Sequence, residues 1–214
     1  NIEIKEKSDS EFRLSYVTPY INGKKHGIEK RYYESGQWGE TRRETPYVNG
    51  KEHGIEKRYY ESGGWWETPY VDGEAHGIGK GYYKSGQLSW ETPYVNDKIH
   101  GIVKGYYESG QLRYARPYVN DKIHGIVKWY YESGQLELEI PAVNDKTHGI
   151  IKGYYESGQL RDAIPYVNGK KHGVEKEYNN KGKVISTAKY KNGVLDGYKR
   201  CSDGRFGNEE LECQ

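Results

Sequence analysis

The phrase PYVNGKEHGIEKRYYESG, residues 46–63, returns as PYINGKKHGIEKRYYESG at 19–36 and as PAVNDKTHGIIKGYYESG at 141–158. Its His-Gly pair stands at His26, His53, His76, His100, His124, His148 and His172, spaced by 27, 23, 24, 24, 24 and 24 residues, with 24 more to a degenerate Asp196-Gly197. A fixed period in the twenties makes each unit one supersecondary element stacked on its neighbours. Each unit holds two turn signals: Asn-Gly (49–50) or Asn-Asp (120–121), which suits a two-residue hairpin turn at positive φ, and Ser-Gly (62–63). No stretch has the apolar period of a helix. The expected fold is all-β: an elongated, curved, single-layer antiparallel β-meander of about seven two-stranded 24-residue repeats.

Composition says what packs such a sheet. Only 34% of the 214 residues are hydrophobic and 30% are charged, with 23 Tyr, two Phe and no Met. A thick aliphatic core is out of reach, so tyrosine must do much of the packing. The 33 basic and 31 acidic residues nearly cancel, which argues against nucleic acid as a partner and leaves any charge effect local. No apolar run approaches a membrane span and no signal peptide is visible. With no Met, not even an initiator, the sequence is expected to be a processed or partial form, so both the cytoplasm and export after removal of a signal stay open.

Two-residue turns at Asn-Gly and Ser-Gly would set Val119 against Lys122 and Tyr107 against Leu112. Alternation then places His124, Ile126, Lys128, Tyr130, Val119 and Pro117 on one face, and Gly125, Tyr131, Leu136 and Tyr118 on the other. The seven prolines, Pro19 to Pro165, share one place in the second strand. Because proline removes a ladder donor, they should mark a line of bends or bulges. Equivalent residues should lie roughly 10 Å apart, two strands per repeat.

That spacing argues against catalysis. Seven histidines suggest a metal or a general base, but copies about 10 Å apart cannot share one zinc at ~2 Å bonds. Glu34, Glu61, Glu108, Glu132 and Glu156 fall at turn tips and read as solvated. Active sites are singular and these features are sevenfold, so the reading calls for no catalytic residue, no metal and no cofactor.

The residues YVNGKEHGIEKRYYESG resemble the MORN repeat, whose pattern is roughly Tyr-x-Gly-x-x-x-Gly-x-x-His-Gly-x-Gly. They are closer still to the bacterial, YwqK-type antitoxin-like variant, spelled NGKxHGxxKxYYxSGQL. The likeness covers about residues 16–200. It implies an antiparallel sheet that contacts proteins or lipids without catalytic residues, and an antitoxin or immunity role.

The repeats differ where function can be sought. On the face of the changing positions, the first repeats place Glu29, Arg31, Glu56 and Arg58, and the seventh Glu175 and Glu177. The middle repeats place Val103, Tyr114, Val127, Trp129, Leu138, Ile140, Ile151 and Ile164 there, and Ala142 replaces a tyrosine. Large apolar groups on a one-layer sheet want a cover. Trp129, Leu138, Ile140, Val127, Tyr114, Ile151 and Ile164 are therefore the expected contact site for a partner protein, such as a toxin, or for self-association. A recurring lysine, including Lys80, Lys104, Lys128 and Lys152, offers an anion site, or lies over Tyr or pairs with Glu. The alternative reading is a surface module binding carbohydrate or anionic lipid. Residues 1–15 are expected to form an N-terminal cap hairpin. Residues 201–214 are expected to form a C-terminal cap, where a Cys201–Cys213 bridge would protect the edge if the chain is exported.

Overall fold

The computed structural model describes residues 2–8, 14–32, 41–208 and 210–213. Among them there is no helix, and the strands form one antiparallel sheet of 26. The chain divides into two compact units, Asn1–Gly101 and Ile102–Gln214. In the first, Ile2–Ser8 lies ahead of the repeats and pairs with Leu14–Ile21, the strand that carries the first proline, Pro19.

The second unit displays the repeat. Leu112–Val119 runs to a turn at Asn120-Asp121, Lys122–Ile123 starts back, and Gly125–Tyr130 continues after His124. Both turn residues have positive φ, 49° and 65°, the type I′ signature whose twist matches the strands. Asp serves in the second place because its side chain adds a bond. One repeat on, Asp145 Oδ1 accepts the Ile123 amide at 2.8 Å while the Asp145 amide donates to the Ile123 carbonyl at 3.0 Å. At an Asn-Gly turn only the backbone half forms, as in Gly169 to the Thr147 carbonyl at 2.8 Å.

Val119 pairs with Lys122 and Tyr118 with Ile123, as the turn requires. Further along, Ala115 pairs with Lys128 and Tyr114 with Trp129, so residues 116–117 face 124–127. The slip is two residues, which leaves every side chain on its face. Proline causes it. Pro117 has no amide to give, its carbonyl takes the His124 amide at 3.0 Å, and Gly125 at φ 124° turns away from the ring, to which a Cβ would come within 2.8 Å. The prolines thus sit at bulges, with the extra residues on the facing strand.

The second turn departs from the sequence expectation. Tyr130 pairs with Leu136 and Tyr154 with Leu160, and the Tyr107 amide donates to the Gln111 carbonyl at 2.9 Å. Tyr107 therefore does not oppose Leu112. Glu108-Ser109-Gly110 is a three-residue loop with Gly110 at φ 88° and its amide on the Tyr107 carbonyl, a type I turn closed by a glycine bulge. A second bulge, where the register slips by one residue between Trp129 and Tyr130, explains the uneven spacing. In the 23-residue interval Tyr59 pairs with Trp65 and Arg58 with Trp66, with no slip, so the missing residue is the one this strand bulge adds, while the loop keeps its glycine, Gly63 at φ 99°. In the 27-residue interval Tyr32 pairs with Thr41, and the added residues fall within 33–40, outside the described residues, as does Glu34.

Register defines two faces. The variable face carries Tyr114, Arg116, Tyr118, Val127, Trp129, Leu138, Ile140 and Ala142; the constant face carries Pro117, Val119, Ile126, Lys128, Tyr130 and Glu139. They differ in burial. Val127 is 6% exposed and its chain neighbour Ile126 is 49% exposed; in the first unit Glu56 is 1% exposed and Ile55 is 53%. Within each unit the core is thus the variable face, whose side chains close over one another. Tyrosines join successive repeats: the hydroxyls of Tyr107, Tyr131 and Tyr155 donate to the carbonyls of Tyr130, Tyr154 and Tyr178 at 2.7, 2.8 and 2.7 Å, each contributing about 1 kcal/mol net.

Candidate protein-binding site

On the variable face of the second unit, register assembles the apolar residues singled out by sequence. Tyr114 lies opposite Trp129, Trp129 opposite Leu138, Val127 opposite Ile140, and Ile151 opposite Ile164 one repeat on. Val127 is buried, so it supports the patch from beneath, whereas Tyr114, Trp129, Leu138, Ile140, Ile151 and Ile164 are half-buried. The Tyr114 and Trp129 rings are 5.1 Å apart and tilted by 50°. Over them lies a group that the sequence reading did not include: the Arg116 guanidinium, 4.4 Å from the Tyr114 ring and 4.8 Å from that of Trp129. Arg116 could be found only through register, because Tyr114 is two residues away on its strand while Trp129 is thirteen away in sequence. Each cation–π contact contributes about 0.5–1 kcal/mol at a partly exposed site. Past Leu138 the row meets Gly153, beside which stand Asp162 and Arg161, themselves bonded at 2.8 Å.

The same face is polar elsewhere in each unit, and its carboxylates are occupied. In the first unit Glu29 accepts from Lys25 at 2.6 Å, Thr18 at 2.9 Å and Arg31 at 3.0 Å. Burial pushes its pKa up, but these hydrogen bonds outweigh burial and hold it below the usual carboxylate range. Glu56 is bound by Arg43, Arg58 and Thr45. In the second unit Glu177 accepts from Ser186 at 2.6 Å and Lys199 at 2.9 Å, and it too is held low against its burial. Saturated carboxylates of this kind are structural, and the apolar patch is what the variable face leaves to offer.

The recurring lysine lies on the constant face. Lys30 and Lys57 each pair with a glutamate at 3.2 Å, Glu44 and Glu67. Lys80 stands in register between Glu67 and Glu91, Lys104 is half-buried, Lys128 is 3.8 Å from Glu139, and Lys152 is exposed. The histidines support turns: Nδ1 of His26, His53 and His172 receives the amide of Asn49, Asp72 and Asn192 at 3.5, 3.4 and 3.4 Å. No group of three His, Cys, Asp or Glu among the described residues is arranged to hold a metal. Cys201 and Cys213 are joined by a disulfide, Cα to Cα 5.4 Å, which folds the last residues back toward the strand Lys199–Cys201.

The MORN repeat variant model matches residues 25–37, 75–96, 99–120, 123–144, 147–168 and 171–192, together more than half of the chain. The chain belongs to the MORN repeat variant family. The regular matches carry the 24-residue bulged hairpin, and the interval they skip holds the longer and shorter repeats. No curated protein matches the chain. Repeats of this family are non-catalytic modules that bind proteins or lipids. The second glycine of the His-Gly-x-Gly pattern survives here only as Gly79; the other repeats put Glu29, Glu56, Val103, Val127, Ile151 and Glu175 there, on the variable face. Variation thus falls where the MORN pattern otherwise has no side chain.

Proposed function

We propose that this MORN-variant chain is a non-enzymatic scaffold that holds a partner protein on the variable face of its second unit, at Tyr114, Trp129, Leu138, Ile140, Ile151 and Ile164, with Val127 beneath. The observation that carries the reading is the stack of Arg116 on Tyr114 and Trp129. Tyr, Trp and Arg are the residue types that dominate binding energy at protein interfaces, and here their surroundings are apolar. An antitoxin or immunity role is the finer form of this reading, in which the partner is a toxin. Self-association is the form in which it is a second copy. The experiment is affinity capture from the native source with wild-type and Trp129→Ala baits, followed by direct titration of the captured protein. A partner bound at least tenfold more weakly by Trp129→Ala, at unchanged thermal stability, supports the reading. Equal binding by both baits contradicts it.

A further inference from the structure

On the constant face, the residues that neighbour the recurring lysine across the strands make a row with a different charge in each unit. In the first unit Lys30 pairs in register with Glu44, Glu44 with Lys57, Lys57 with Glu67, Glu67 with Lys80, and Lys80 with Glu91. Three lysines alternate with three glutamates and the row is neutral. In the second unit, beyond Lys104, the order from Ala115 on is Ala115, Lys128, Glu139, Lys152, Ala163, Lys176, Thr187 and Arg200. Four cations share one carboxylate, and Lys128 at 3.8 Å and the Tyr154 hydroxyl at 3.2 Å already engage it. Lys152, Lys176 and Arg200 are exposed, separated by Ala163 and Thr187, and none pairs with a carboxylate of the described residues.

An apolar row runs beside them. Ile150 and Val174, two residues before Lys152 and Lys176 on the same strands and the same face, are 51% and 47% exposed. Residues two apart on a strand are about 7 Å apart, and strands at ~4.8 Å repeat each row about every 9.6 Å. An α-helix rises 1.5 Å per residue, so one heptad advances about 10.5 Å, and its width of roughly 10–12 Å covers both rows.

We infer that this stripe, Lys152, Lys176 and Arg200 with Ile150 and Val174, docks an acidic amphipathic helix of a partner protein, laid across the strands with one acidic and one apolar residue per heptad. A linear polyanion would neutralise the cations and leave the isoleucine and valine uncovered. The stripe lies on the opposite side of the sheet from Trp129, and the inference stands independently of that site.

The test uses the full chain and two synthetic 21-residue peptides of identical composition, one with Glu and Leu in adjacent heptad columns and one with the glutamates moved out of register, read by fluorescence anisotropy. Heparin and anionic phospholipid vesicles are the other arms. The expected result is binding of the heptad peptide that weakens with salt, is about tenfold weaker for the shuffled peptide, and falls about tenfold in Lys152→Glu/Lys176→Glu. Lys30→Glu/Lys57→Glu and Trp129→Ala should bind it as the wild type does. The melting curve of Lys152→Glu/Lys176→Glu, whose altered side chains are exposed, should match the wild type. The inference is overturned if the heptad peptide does not bind, if it binds the Lys152→Glu/Lys176→Glu variant equally well, if both peptides bind alike, or if only heparin or vesicles bind.

Discussion

Glu177 and Glu29 link single residues to the sidedness of the sheet. Both lie on the variable face, Glu29 buried and Glu177 half-buried, and each is held below its ordinary pKa by the donors around it. A carboxylate whose folded pKa lies below its unfolded value, about 4.3 for glutamate, adds stability that is fully present above that pH and is lost as pH falls through the folded value. The urea midpoint should therefore hold between pH 7 and 5 and drop below about pH 4. In Glu177→Gln, which keeps the shape and removes the charge, the midpoint should be lower at pH 7 and the drop from pH 5 to pH 3 smaller. A drop as large as that of the wild type would show that Ser186 and Lys199 do not hold the ionised form. Sequence suggested that these glutamates differ from the apolar residues of the middle repeats. Their pairing was not legible, because donors such as Thr18 to Glu29 and Ser186 and Lys199 to Glu177 arrive from strands that only register identifies.

The bulged hairpin is the repeating element, and its weak point is the contact of His-Gly with proline. Gly125 combines a φ of 124° with a Pro117 ring 2.8 Å from where a Cβ would stand. Gly125→Ala should lower stability by about 1–3 kcal/mol through backbone strain, plus a term for the clash. Pro117→Ala should remove only the clash, so the double variant should be more stable than the two single losses added together, a coupling that a double-mutant cycle measures. Additive losses would mean that the ring does not shape the bulge. Much of this element could be read from the chain: the period, the positive-φ turn and the proline line each follow from local chemistry. The three-residue loop at Glu108-Ser109-Gly110 could not, because Ser-Gly fits the centre of a two-residue turn as well as the end of a three-residue one.

At the scale of the molecule, a constant hairpin carries two surfaces that differ between repeats, and sequence revealed them unequally. The apolar patch was visible as a change of residue type at equivalent positions. The charge of the constant face was not, since lysine recurs in every repeat and only the cross-strand partner, Glu91 or Ala163, decides whether it is neutralised. On our proposal a partner protein sits on the variable face of the second unit. Photo-crosslinking tests it most directly, with benzoyl-phenylalanine placed at Leu138 on the variable face and at Ile55 on the constant face of the first unit. The expected outcome is a partner adduct from position 138, abolished by Trp129→Ala, with no adduct of that partner from position 55. An adduct from position 55 and none from 138 would contradict it.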